Sequence, residues 1–256
     1  MKKVLLALSA VLVTSALPTL SHAEDNPLSF NVSVASDYRY RGISQTRFTP
    51  ALQGGVDYAL PGGFYVGAWG STIRWIKDAG TLGGVDTGSA HVEVDLYGGY
   101  KGEIQKGLSY DVGVLQYWYP GNHYGNLPGA KNANTTELYG AMTFGPATLK
   151  YSHSLSTLFG TGNSKNSGYI DLSATFDVGA GVSLAPHVGY QHVAKNSVFS
   201  YTDVSLTVSK DVAGFGLSAA VVATDTKDVP GSYPYVSPKG KNLGRAGIVV
   251  AVKKTF

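Results

Sequence analysis

Ala246-Gly247-Ile248-Val249-Val250-Ala251-Val252-Lys253-Lys254-Thr255-Phe256 closes the chain on a regular alternation. Ala246, Ile248, Val250 and Val252 fall on every second position, with Phe256 last. Period two over about ten residues describes a strand with one apolar face and one different face. Soluble strands average about five or six residues, whereas a strand tilted across membrane hydrocarbon needs about nine to eleven. The stretch therefore reads as a membrane-spanning strand. If the rest of the chain follows the same rule, the protein is an outer-membrane β-barrel.

Twelve segments do follow it: 28–38, 52–60, 64–73, 92–100, 108–118, 137–144, 147–155, 169–178, 182–193, 201–209, 215–224 and 245–256. The third is ambiguous about which face points inward. Pro186 interrupts the ninth and predicts a bulge or local break, because proline donates nothing to a strand ladder. The connections alternate in length. Those at 61–63, 102–107, 145–146, 179–181 and 210–214 are short, while 42–50, 74–90, 120–134, 156–168 and 226–244 are long, with 194–200 between. The expected fold is all-β: a transmembrane antiparallel up-and-down β-barrel with short periplasmic turns and longer extracellular loops. A secreted β-sandwich shares the alternation but has no reason to gather every long loop at one end.

Export is written at the start. Lys2 and Lys3 precede an apolar stretch from Val4 to Leu17, followed by small residues around Ser21-His22-Ala23. This is the layout of a cleaved signal peptide over 1–23, leaving 24–256 as one barrel domain. There is no cysteine, which excludes disulfides and thiolate metal sites. The 33 glycines and 17 tyrosines suit turns, barrel walls and interfacial girdles. The net charge of +3 becomes +1 without Lys2 and Lys3, and no basic run points to nucleic acid.

The stretch Ser36-Asp37-Tyr38-Arg39-Tyr40-Arg41-Gly42-Ile43-Ser44-Gln45 resembles the opening motif of the TorF family of outer-membrane porins. Gln53-Gly54-Gly55-Val56-Asp57-Tyr58, Val94-Asp95-Leu96-Tyr97-Gly98-Gly99-Tyr100, Tyr117-Trp118-Tyr119-Pro120-Gly121 and His187-Val188-Gly189-Tyr190 add to the resemblance. It runs through the chain in order and is strongest before residue 145. It implies a barrel of Gram-negative outer membranes that passes small solutes, and it supplies no substrate. Lys254 departs from the pattern, standing where outer-membrane assembly signals commonly carry an aromatic residue.

If the apolar face meets lipid, the opposite face lines the pore. The expected pore-lining set is Asp37, Arg39, Arg41, Asp57, Glu93, Asp95, Asp111, Glu137, Asp171, His187, Asp203 and Arg245. Arg or Lys costs about 2–4 kcal/mol at the hydrocarbon midplane, so this placement supports the register. These charges filter solutes, or they neutralise one another and brace the wall. Twelve strands about 4.8 Å apart and tilted about 40° enclose a backbone radius near 12 Å. Side chains occupy much of that, so the reading is a narrow channel for small hydrophilic solutes or ions.

Tyr38, Tyr40, Trp118, Tyr119 and Tyr151 are expected as a girdle at the loop end. Phe64, Tyr100, Phe144, Phe176, Phe215 and Phe256 are expected as its counterpart at the turn end. The implied partners are outer-membrane lipid, the outer-membrane assembly machinery through the strand ending in Phe256, and the solutes. No cofactor is implied. The alternative is a non-conducting barrel, acting as an enzyme or as a receptor or adhesin through loops such as 120–126 and 233–235. His187 near Ser183 is the enzyme's raw material, but no G-x-S-x-G elbow or H-E-x-x-H helix occurs. His91, Glu93 and Asp95 alternate along one face, which fits a pore wall better than a metal site.

Overall fold

The computed structural model describes residues 27–227 and 234–256. The expected signal peptide at 1–23 and Tyr233 of the last loop lie outside them. Twelve strands make the wall: β1 Leu28–Ala35, β2 Ala51–Ala59, β3 Phe64–Thr72, β4 Val92–Gln105, β5 Leu108–Trp118, β6 Thr135–Phe144, β7 Ala147–Ser154, β8 Gly168–Ala174, β9 Val182–His192, β10 Tyr201–Val212, β11 Phe215–Thr224 and β12 Gly247–Thr255. Each pairs antiparallel with its sequence neighbour, and β12 returns to β1 through pairs such as Val34 with Val252. The sheet is therefore a closed antiparallel barrel of twelve strands. Closure leaves no unpaired edge.

The Pro186 break appears on the neighbouring strand. β8 pairs with β9 as far as Ser173 with His187, stops at Ala174, and resumes as Phe176–Asp177 opposite Leu184 and Ser183. The gap faces Pro186, whose missing N–H cannot continue the ladder. All the longer connections gather at one end, and the tight turns gather at the other with the start of β1 and the end of β12.

Alternation sorts the wall into two faces. Val34, Leu52, Val66, Leu96, Leu138, Leu172, Leu206 and Val250 point outward and are exposed, and Ile248 reaches 71%. Phe64, Phe144, Phe176, Phe215 and Phe256 ring the turn end outside, as expected, and Trp118, Tyr151 and Tyr190 ring the loop end. The third strand resolves with Phe64 and Val66 outside, Tyr65 and Ser71 inside. Tyr38, Tyr40 and Tyr119 correct the girdle reading: all three are buried inside the barrel. Lys254 sits at the turn rim with Nζ 5.0 Å from the Phe215 ring centre and 3.0 Å from the Gly214 carbonyl oxygen.

The largest departure from the linear reading follows β1. The strand was expected to run to residue 38 but ends at Ala35, where the Ser36 hydroxyl accepts the Val250 N–H at 3.0 Å and the chain leaves the wall. It turns inward as a small hairpin in which Arg39–Tyr40 pairs with Ile43–Ser44. Arg41 and Gly42 form its two-residue tip with φ of 47° and 80°, the signature of a type I′ hairpin turn. Only glycine fits at the second tip position, since a Cβ there would lie 2.8 Å from the Asp203 Cβ. The inner face of β11, β12 and β1 is small and apolar, with Ala35, Ala220, Val222, Val249 and Ala251 forming one cluster. That face leaves room for the hairpin. A helix, α1 (Trp75–Gly83), covers the same end and is tied to the 36–50 connection by the Arg47–Asp78 ion pair.

Candidate functional site

The barrel interior divides into two halves by depth. In the loop half the hairpin projects into the interior and is buried there. Arg41, 1% exposed, extends its guanidinium to both Glu137 oxygens at 2.8 and 3.2 Å on β6 and to Gln191 Oε1 at 2.6 Å on β9. It lies 4.8 Å from the Tyr40 ring centre and 4.2 Å from that of Tyr169. A single side chain at the hairpin tip thus ties together two wall strands that are three positions apart in the barrel. Burial opposes its charge, but Glu137 more than offsets this and holds the Arg41 pKa above its ordinary value.

The other hairpin residues anchor just as firmly. Tyr38 donates to Glu93, which also accepts from Tyr119 at 2.8 Å. Arg39 Nε meets Asp37 at 2.5 Å, and the Asp37 carboxylate also accepts the Ser44 hydroxyl at 2.6 Å. Arg39 further donates to the carbonyls of Gly42 at 2.9 Å and Arg245 at 3.0 Å. Burial raises the pKa of Tyr38, Tyr40 and Tyr119 well above the ordinary phenol value.

Below the hairpin, Tyr169 donates to Asp203 at 2.9 Å, and His187 lies 2.5 Å from Asp171 and 3.5 Å from Asp203. Lys150 follows, 4.4 Å from the Tyr139 ring centre. Inward glycines make room for these rings: the Tyr139 ring lies over Gly113, and the Tyr169 hydroxyl over Gly189. The turn half is looser. Tyr97 donates to Asp57 at 2.5 Å and Tyr65 to Asp111 at 2.6 Å, and Asp57, Asp111, Lys101 and Lys253 are all partly exposed.

The expected pore-lining residues therefore fall into three groups. Asp57, Glu93, Asp95, Asp111, Glu137, Asp171, His187 and Asp203 project inward from the wall as the alternation requires. Asp37, Arg39 and Arg41 are also inside but not on a strand face, because the chain has already folded away from the wall. Arg245 is corrected outright. It is exposed in the connection before β12, where its guanidinium lies 4.5 Å from the Phe48 ring centre at the loop rim. Lys150 lies on the inward face of β7, as the alternation requires, whereas sequence reasoning missed Lys101 and Lys253 as interior cations, although their odd-numbered parity matched the acids beside them.

The partners of His187 are two carboxylates and a tyrosine, and among the described residues no serine hydroxyl hydrogen-bonds to it. His91 lies exposed before β4, apart from Glu93. Among the described residues no group of three or more histidines or acids is placed to hold a metal ion.

A closed wall, an apolar outer belt with aromatic rims and a charged interior define a barrel of the porin architectural class. A solved NanC porin structure in a rhombohedral crystal form is similar at a TM-score of 0.50 with 8% identity, over 89% of this chain and 98% of that one. A structure from work on the mechanism behind in-meso crystallization of membrane proteins is similar at 0.50 with 6% identity, over 90% of this chain and 83% of that one. At such identities the likeness concerns the fold. No curated protein matches the sequence. The family model described as "Bacterial protein of unknown function (Gcw_chp)" matches residues 21–256, and the chain belongs to that family.

Proposed function

We propose that the protein is an outer-membrane channel for small hydrophilic solutes or ions, held closed by the hairpin within residues 36–50. The observation that carries this reading is the radial arrangement: exposed Ile248, Val250, Leu206 and Leu172 outside, Asp57, Asp111, Lys101 and Lys253 in a partly hydrated interior. Lipid outside and water inside account for the two faces of the strands, except where the inner face of β11, β12 and β1 makes room for the hairpin. The aromatic rims at both ends support placement in a membrane, and the TorF-type motifs and the expected 1–23 signal peptide support the outer membrane of a Gram-negative bacterium. The strand ending in Phe256 would be the contact with the assembly machinery.

The interior acids and lysines act as the filter in the turn half, and Arg41 with Glu137 and Gln191 acts as the closure. Catalysis is disfavoured because His187 is held by Asp171 and Asp203, with no serine hydroxyl bonded to it among the described residues. Planar-bilayer recording of the refolded protein tests the reading. Rare steps or none are expected with the hairpin in place, and discrete, cation-preferring steps once its Arg41 anchor is removed. A folded, heat-modifiable barrel that stays silent after the hairpin's Arg41 anchor is removed would refute it.

A further inference from the structure

Directly above the hairpin the loops leave a cleft of about 220 Å³. Every long connection contributes an aromatic ring to it: Tyr40, Trp75, Tyr124, Phe159, Phe199 and Tyr235. Six chain segments converging on one cavity is not what surface loops need for solubility, since apolar surface grouped at a wet mouth is costly unless something covers it. The polar groups of the cleft are informative too. Among the described residues that line it the one acid, Asp78, is paired with Arg47, and no unpaired charge is present. Tyr124, Thr161 and Tyr201 line it as well, and their hydroxyls make no hydrogen bond to another described residue.

We infer that this cleft binds a neutral, hydroxylated ring compound, a sugar or glycoside of about hexose size. Aromatic rings supply flat faces for the apolar side of such a ring, and the three unspent hydroxyls supply hydrogen bonds for its polar edge. A charged solute would lose hydration without meeting a counter-charge. The hairpin forms the floor, through Tyr40, Ile43 and Ser44, so the bound compound rests on the closure itself. The inference rests on the channel reading for its place in a transport route, while binding itself is measured without transport.

The test is Trp fluorescence quenching of the refolded full chain in lipid nanodiscs, titrated with 4-nitrophenyl β-glucopyranoside and, separately, with 4-nitrophenyl phosphate. Trp75 lies 5.2 Å from Tyr124, ring centre to ring centre, and reports occupancy. Saturable quenching by the glycoside is expected, with no saturation by the phosphate ester. Tyr124→Ala should weaken glycoside binding at least tenfold. Tyr124→Phe, which removes one hydroxyl and keeps the ring, should weaken it about two- to tenfold. Equal binding of the anionic probe, or glycoside binding unchanged in Tyr124→Ala and in Tyr235→Ala, would overturn the inference. Saturable binding in a protein that never conducts would instead refute the channel reading alone.

Discussion

The two halves of the interior use the same residue types to opposite ends. In the loop half, Arg41 and Glu137 are both nearly inaccessible and joined by two hydrogen bonds. In the turn half, Asp57 and Lys253 remain partly exposed. A buried pair is bound to its partner because either ion alone carries a large desolvation cost, whereas a hydrated ion is free to act on passing solutes. A charge on the inward face is therefore structural or selective according to its depth and the water around it, not its identity.

The sharpest way to break this contrast is Arg41→Ala. It leaves Glu137 buried without its partner, a change that costs about 3–5 kcal/mol. The hairpin should detach, and the open fraction in bilayer recordings should rise by at least tenfold. Loss of the folded band in heat-modifiability gels before any gain in conductance would show that the hairpin supports the wall instead of closing it.

Alkaline pH should act on the same half. Burial raises the pKa of Tyr38, Tyr40 and Tyr119 above the ordinary value of 10.0. Above that value the released hairpin binds fewer protons than the packed one, so closure is unaffected below about pH 10 and weakens as pH rises further. A tyrosinate absorbance titration run beside conductance should show late-ionising tyrosines whose ionisation coincides with opening. Opening that begins near neutrality would contradict this assignment.

In the turn half, Asp57→Asn should barely alter stability, by less than about 1 kcal/mol, because its carboxylate is hydrated and holds a single tyrosine. Reversal potentials in a salt gradient should nevertheless move toward anions. An unchanged reversal potential in an open channel would remove Asp57 from the filter. The smallest effect is expected outside the interior, where Lys254→Ala removes a contact with the Phe215 ring worth about 0.5–1 kcal/mol at an exposed rim. A slightly lower midpoint in urea unfolding would register it, and the conductance should not change.

The wall was legible because lipid on one side and water on the other impose a period of two, and that period survives in β2 through β12. The hairpin was not, because Asp37, Arg39 and Arg41 continue the parity of Ser33 and Ala35 although the chain has left the sheet. Alternation reports which side chains share a face and cannot report that the face has moved. A warning was present in the density of charge over 37–41, too many ions for one strand of a narrow barrel, and in Gly42, which permits a tight reversal. Arg245 failed for a related reason: it keeps the parity of the last strand, but β12 begins only at Gly247. The tyrosine–glycine contacts that fill mid-depth join different strands and depend on registers that a single sequence does not display.

The most direct test of closure by the hairpin is single-channel recording of the refolded wild type beside Arg41→Ala, in the same lipid and with a salt gradient across the membrane. Rare or no steps in the wild type, and frequent steps of cation preference in the variant, are the predicted result. Wide, steady conductance in the wild type, equal to that of the variant, would contradict it.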